Sequence, residues 1–483
     1  MIDLSTWSRG SDWSQLHAVV AGIGIAGFAA ADALLSLGSR VLVVDDANGE
    51  EQRERANILE ILGAGIRLGD GHTLPPEVDL LVVSPGLPPA APIIAAALAS
   101  GVPVWGELEL AWRLRDATAA PWLTITGTNG KTTATLMVAS MLRSAGIITD
   151  AVGNIGRSLV DAVMHGPGDG TRYGALAVEV GAPQLPFVHT ISPLASVCLN
   201  LAPDHVDLFG GFENYRLAKG RIYDRTQVAA IYNVADPETE RMVRDADVVE
   251  GCRAIGFTLG TPGLSMLGVV DDLLVDRAFV DNRRDTAQEL ASVHDVVPFA
   301  PHNVANALAA AALVRALGVE PGAVRAGLRA FEPAHHRIAD VGDVGGVRYI
   351  DDSKATNAHA ALGSLRTYDP VVWIAGGLAK GQTFDELVVA VRDRLRGVVL
   401  LGQDRALFVE ALTRHAPQVP VVAVDRTDTG AMEDVVRAAA VLARPGDTVL
   451  LAPACASWDM FTDYAERGRA FVSAVHRLTE DGS

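Results

Sequence analysis

Four lysines stand in a chain of 483 residues whose other 36 basic side chains (40 less four) are arginine. They are Lys131, Lys219, Lys354 and Lys380, and three of them lie in TGTNGKTT, DDSKAT and GGLAKG, stretches rich in glycine and small polar residues. Lysine offers a compact ammonium or, once deprotonated, an amine; arginine offers neither. Where arginine serves almost everywhere else, a retained lysine marks a place that needs this chemistry. All four are therefore candidate functional residues rather than leftovers on solvated faces.

The segment Thr126-Gly127-Thr128-Asn129-Gly130-Lys131-Thr132-Thr133 follows the apolar run PWLTI and precedes ATLMVASMLRSAG. A strand, a glycine loop and a helix in that order let backbone N–H groups wrap phosphate oxygens, and the helix N-terminus favours negative charge. Lys131 can then reach the β- and γ-phosphates, with the Thr132 hydroxyl on Mg2+. Ile125 stands where the common P-loop has its first glycine, so the fit is to a shorter variant. Glu179, near the end of the apolar run LAVEV, is a candidate magnesium carboxylate, the plainer reading being an edge-strand glutamate. AGIGIAG carries Gly22, Gly24 and Gly27 between a strand and a helix, and Asp45 follows the next strand at about the spacing of a ribose-binding acid. That pair suits a nucleotide-bearing ligand, with a nicotinamide cofactor as the rival and a structural turn as the plain alternative. Asp204-His205 and the helix YRLAK are weaker signals. Alone they read as a loop pair and as a helix with Lys219 pointing to water.

These residues need a scaffold that brings loops to one edge. VLVV (41–44), LLVV (80–83), LAVEV (176–180), SVCLNL (196–201) and VAAIYNV (228–234) read as buried parallel strands, alternating with helical stretches such as 303–318. Beyond FEPAHHR the runs RYI, VVWIA, VVLL, VVAV and TVLLA repeat the pattern, and 269–285 reads as an exposed hairpin or excursion. The fold class expected is three-domain α/β. A Rossmann-like domain (1–109) comes first, then a central P-loop ATPase domain with a mostly parallel sheet (110–333) and a Rossmann-like C-terminal domain (334–483). Ligands of such sheets sit beyond the carboxyl ends of the strands. The formal charge of −18 argues against nucleic acid, whose phosphates it repels. Cys198, Cys252 and Cys455 show no pairing pattern, which fits a reducing compartment. No signal peptide or bilayer-length apolar run is visible, so a cytoplasmic protein without membrane insertion is expected.

Taken in series, TGTNGKT, Glu179, LNLAPDH, YRLAK, HNVAN, His336-Arg337, DDSKAT, GGLAKG and LLAPACASWDMF resemble the Mur ligase family, over nearly the whole chain. The first domain, SPGLP (84–88) and the last motif are most like the branch that adds D-glutamate to UDP-N-acetylmuramoyl-L-alanine. The resemblance implies an ATP-dependent ligase acting through an acyl phosphate in peptidoglycan precursor synthesis. Its cofactors would be ATP and Mg2+ (two ions, or Mn2+), its partners those two small molecules, and its state a monomer. It implies that Lys131, His205, Lys219 and Lys354 are catalytic. Gly127, Thr128, Asn129, Gly130, Lys131, Thr132, Thr133, Asn303, Asn306, Arg337 and Asp352 would bind ATP. Ile25, Ala26, Asp45, Asp46, Ser84, Asn154 and His205 would hold the UDP substrate, and Thr356, Lys380, Ser457, Trp458 and Tyr464 the D-glutamate. The metal set would be Thr132, Glu179, His205 and a carbamylated Lys219. The chain departs from its relatives at Val180-Gly181-Ala182, within a stretch Glu179-Val180-Gly181-Ala182-Pro183-Gln184 where ELSSFQ is frequent, at Ala47 and at Trp458, a position often leucine. The last domain is expected to close on the central one about a hinge near residues 331–336.

Overall fold

A computed structural model describes residues 2–204 and 206–481. Three sheets account for the strands. The first has β1 (His17–Ala21), β2 (Arg40–Asp45), β3 (Gly65–Leu68), β4 (Leu80–Val83) and β5 (Val104–Gly106) in the order β3-β2-β1-β4-β5, all parallel. This is a Rossmann-like half, and the order reverses between β1 and β4, where open α/β sheets take their ligands. Apolar layers pack on both faces, one including Val20, Val43 and Val82 and the other Val19, Val44 and Val83. Burial on both sides is why the strands read as unbroken apolar runs.

The second sheet holds β6 (Trp122–Thr126), β7 (Ala151–Gly153), β8 (Leu176–Glu179), β9 (Ala195–Cys198), β10 (Ala229–Asn233), β11 (Arg253–Phe257), β12 (Met266–Val270), β13 (Leu273–Asp276) and β14 (Gln288–Ser292). Its order is β14-β13-β12-β11-β10-β9-β6-β8-β7, with only β12–β13 and β13–β14 antiparallel. The segment expected as an exposed hairpin or excursion is a hairpin, but it extends the sheet. Leu274 and Ala278 are buried, and buried Asp276 accepts from Arg315 Nε at 3.0 Å. Asp271 and Asp272 sit in the turn while the flanking apolar residues supply the inner face, and composition alone does not reveal that.

The third sheet contains β15 (Ala339–Val344), β16 (Val347–Asp351), β17 (Val371–Gly376), β18 (Leu395–Leu401), β19 (Val421–Ala423) and β20 (Thr448–Leu451). The order is β15-β16-β20-β17-β18-β19, parallel except for β15–β16. Two apolar layers again flank it, around Trp373 and Phe408 on one face and Tyr349 and Phe471 on the other. By compactness the chain forms two units, Met1–Asp295 with Ala305–Phe331, and Val296–Val304 with Glu332–Ser483. The first two sheets share the former and the third sheet lies in the latter. Among the described residues no helix is long and apolar enough to cross a membrane.

Candidate active site

In the first unit, β6 delivers its carboxyl end into the glycine loop, and the helix Lys131–Ser144 begins directly after it. Gly130 has φ +83°, and a Cβ there would lie 2.5 Å from the Asn306 amide oxygen. The turn therefore needs glycine twice over, for its left-handed backbone and for the close approach of Asn306. Asn200 fixes the loop reciprocally: its Oδ1 accepts from Asn129 N at 2.9 Å and its Nδ2 donates to Asn129 O at 3.1 Å. Thr128 Oγ1 lies 3.1 Å from both Ala202 O and the Tyr215 hydroxyl. Lys131 Nζ donates to Gly127 O at 2.8 Å and Thr128 O at 3.0 Å, so the ammonium is already held over the loop. Thr132 and Thr133 open the helix behind it.

Glu179 closes β8, which lies between β6 and β7, so the edge-strand reading fails. Its carboxylate is buried, with Oε1 accepting from Asn154 Nδ2 at 3.1 Å and Oε2 without a hydrogen-bond partner. A buried oxygen left open beside a phosphate loop is what a magnesium ligand requires, because an unpaired buried acceptor otherwise costs about 1–3 kcal/mol. Asn154, expected to touch the UDP substrate, thus also orients the candidate metal carboxylate.

Lys219 does not point to water. It is 1% exposed, with Nζ 3.4 Å from Thr126 Oγ1 and 5.3 Å from the centre of the Tyr215 ring. Read alone, the helix left it pointing to water; the packing of helix Phe212–Gly220 turns it inward toward Thr126 at the end of β6. Burial, helped by the charge of Lys131, pulls the amine down to about 7, while Cys198, Asp204 and Glu179 pull the other way. A large share is then neutral amine near pH 7, the form that adds CO2 to become a carbamate. His205 lies outside the described residues. Among the described residues no group of three or more His, Cys, Asp or Glu side chains could hold a metal.

At the switch point of the first sheet, Gly22 has φ +95°, and a Cβ on Gly27 would stand 1.7 Å from Gly22 O. Ser84 Oγ donates to Gly22 O at 3.0 Å. Asp45 accepts from Ile23 N at 2.7 Å and Ala47 N at 2.8 Å, and Asp46 accepts from Gly71 N at 2.8 Å. Asp45 therefore braces the glycine turn with Oδ2 and the loop after its own strand with Oδ1, roles that its spacing did not disclose. Exposed Ile25 and half-buried Ala26 form the first turn of the helix Ile25–Ser36.

The second unit gathers the remaining candidates at the carboxyl ends of β16, β17 and β20. His336 Nδ1 lies 2.5 Å from Asp351 Oδ2, and Asp351 Oδ1 accepts from Ser353 N at 2.9 Å. Asp352 accepts from the Ser364 hydroxyl. Burial pushes its carboxyl up to about 7, with the hydrogen bond from Ser364 and the charge of Arg337 opposing. Lys354 Nζ sits 3.9 Å from the centre of the Tyr464 ring, and Lys380 Nζ 4.3 Å from that of Trp458. Ser457 is buried and Thr356 half-buried in the same loops. Asn303 belongs to this unit, its Nδ2 donating to Pro298 O at 3.0 Å, whereas Asn306 packs on the glycine loop in the first. Both asparagines lie on the helix Pro301–Ala316, three residues apart.

Sequence reasoning missed Arg467. It is 1% exposed and donates to Ser353 Oγ (2.9 Å), Ser353 O (2.8 Å) and Cys455 O (3.1 Å), tying the DDSKAT loop to the PACAS loop. Burial pulls its guanidinium down to about 10. One arginine among 36 carries no signal. Gln184 of the stretch after Glu179 is buried, with its Oε1 accepting from Gly181 N at 2.8 Å and its Nε2 without a hydrogen-bond partner.

Family models match along the chain: "Mur ligase MurD-like, N-terminal domain" at 16–106, "Mur ligase middle domain" at 125–314 and "Mur ligase, glutamate ligase domain" at 336–455. A UDP-N-acetylmuramoylalanine--D-glutamate ligase of Streptomyces coelicolor is 60% identical over 471 residues, 97% of this chain and 99% of that one. The protein of the same name from Streptomyces avermitilis is 59% identical over 468 residues, with the same coverage. Among solved structures, the UDP-N-acetylmuramate-alanine ligase MurC of Thermotoga maritima shares the fold, with TM-score 0.56 and 20% identity over 96% of this chain and 99% of that one. Three matched domains in series and near-complete relatives at this identity, on a fold that sets a phosphate loop beside a buried carboxylate and a buried lysine, make the chain a member of the Mur ligase family.

Proposed function

We propose that this chain joins D-glutamate to UDP-N-acetylmuramoyl-L-alanine in an ATP-dependent reaction of peptidoglycan precursor synthesis. The observation that carries the chemistry is the half-partnered, buried Glu179 beside the Lys131 loop. The choice of amino acid and acceptor rests on the full-length relatives and their printed activity. The working domains are 1–109 for the UDP substrate, 110–333 for ATP and 334–483 for the amino acid.

A carboxylate is a poor electrophile in water. Its oxygen therefore attacks the γ-phosphorus of ATP, the bond to the bridging oxygen breaks, and ADP leaves an acyl phosphate. The amine of D-glutamate adds to the acyl carbon, loses its proton, and the tetrahedral intermediate expels phosphate. Phosphoryl transfer depends on positioning and charge stabilisation. Lys131 turns from the carbonyls of Gly127 and Thr128 to the β- and γ-phosphates. Asn154 and Glu179 hold the end of β8 steady, and Lys354 neutralises charge from the DDSKAT loop. Thr132 and Glu179 would hold one magnesium ion, and His205 with a carbamylated Lys219 a second; bound there, the metal would supply electrostatic stabilisation of charge on the phosphoryl oxygens. Thr356, Lys380, Ser457, Trp458 and Tyr464 receive the amino acid.

The test is phosphate release from ATP in the presence of Mg2+ and UDP-N-acetylmuramoyl-L-alanine, comparing D-glutamate with L-glutamate, L-alanine and diaminopimelate. Release that requires both the muramyl substrate and D-glutamate is the expected result. Dependence on a different amino acid would move the chain to another branch of the family, and no release with any combination would refute the catalytic assignment.

A further inference from the structure

Trp458 is an exposed tryptophan, at 64%, where burial would be the ordinary fate of so large an apolar side chain. Its neighbours explain how it is kept out. Ser457 and Phe461 are buried, and Asp459 Oδ2 accepts from Gln403 N at 2.7 Å, which pins the turn from below. The loop carrying Lys380 is joined to this turn by a backbone pair: Leu378 N donates to Ala456 O at 2.9 Å and Ala456 N to Leu378 O at 3.0 Å. Lys380 and Trp458 each lie two positions beyond their bridging residue, in the turns that follow it. Lys380 also has φ +51°, a left-handed backbone that a non-glycine residue adopts only where its surroundings impose it.

The result is an ammonium 4.3 Å from the centre of an indole ring that is itself held at the surface. A lysine has about 2 kcal/mol of rotamer entropy to lose on binding an anion. Contact with the indole restrains this one before any anion arrives. We propose that Trp458 is a specificity-determining residue that acts through Lys380, presenting its ammonium ready-made to the side-chain carboxylate of the incoming amino acid. This rests on the reading of the second unit as the amino-acid site. The nearby Lys354–Tyr464 pair shows the same arrangement on a second lysine.

The expected effect has the size of an exposed cation–π contact, about 0.5–1 kcal/mol, or a two- to fivefold change at 1.4 kcal/mol per tenfold. Trp458→Leu should raise KM for D-glutamate about two- to fivefold and lower its preference over D-glutamine to a similar extent, with KM for ATP unmoved. Trp458→Phe, which keeps a ring, should recover most of the loss. Unchanged KM for D-glutamate in Trp458→Leu would overturn the proposal. So would a fall in kcat, or a rise in KM for ATP, that the phenylalanine does not rescue, because that pattern belongs to a structural role. A second measurement is independent of turnover. In protein carrying 5-fluorotryptophan, Lys380→Met should shift the resonance that Trp458→Leu deletes. No shift removes the pairing itself, whereas a shift in a protein that never uses D-glutamate leaves the pairing standing and refutes the parent reading alone.

Discussion

Glu179→Gln separates the roles this carboxylate could have. The side chain is 2% exposed, and its single hydrogen bond is from Asn154 Nδ2 to Oε1 at 3.1 Å. Glutamine preserves shape and keeps an oxygen for Asn154. The group that replaces Oε2 is a neutral amide instead of half of a buried charge. If Glu179 were structural, the substitution would change little: one hydrogen bond is kept and the position of the unpartnered oxygen stays unpartnered. Relieving a buried carboxylate can even raise stability, by about 1–2 kcal/mol. If Oε2 is the metal position, the variant loses a charged ligand worth several kcal/mol in the transition state, and about 3–4 kcal/mol is a factor of roughly 10²–10³ in rate. The assay pairs thermal melting with substrate-dependent phosphate release over a magnesium titration. The expected result is melting at or above that of the wild type together with a hundredfold or greater loss of rate and a shift of the titration to higher Mg2+. More than a tenth of wild-type rate at the same magnesium midpoint would refute the reasoning.

Three further outcomes follow from the geometry. The Lys219 amine, at about 7 in the fold against 10.5 as the ordinary value, binds its proton less readily when folded. The unfolded chain therefore takes up the extra proton between those values, and stability should rise with pH from about 7 to about 10, by at most about 1.4 kcal/mol per unit. Denaturant titrations at pH 7, 8 and 9 in CO2-free, magnesium-free buffer should show that slope reduced in Lys219→Met; equal slopes would sink it. Gly27→Ala drives a methyl into Gly22 O. It should lower stability by about 1–3 kcal/mol and raise KM for the UDP substrate more than that for ATP, as melting and steady-state kinetics can check. Arg467→Met leaves the buried carbonyls of Ser353 and Cys455 without this donor. A loss of about 2–4 kcal/mol in denaturant unfolding and a raised KM for D-glutamate are expected, and a stable variant with normal KM would show that the loops hold without it.

Much of this protein is written locally. Parallel strands buried on both faces must be apolar throughout, so VLVV, LLVV, LAVEV and VVWIA announce themselves, and a glycine loop between a strand and a helix needs its glycines at fixed offsets. The retained lysines mark chemistry because arginine cannot replace a compact amine. Those features alone determined the α/β class, the phosphate loop and the four lysine positions, and the serial motifs carried the family. Tertiary structure decided the rest, since it depends on which side chains meet across long sequence separations. The helix alone left Lys219 in water, and packing within the central domain removed it from water and lowered its proton affinity. Asp45 stands at the spacing of a ribose-binding acid, and only the fold shows its Oδ2 accepting from Ile23 N in the glycine turn. Glu179 could have lain on an edge, but strand order placed it inside the sheet with one oxygen open. Arg467 and the Lys380–Trp458 pair join segments that are more than 70 residues apart, and spacing within a motif does not encode contacts that only the folding of distant loops creates.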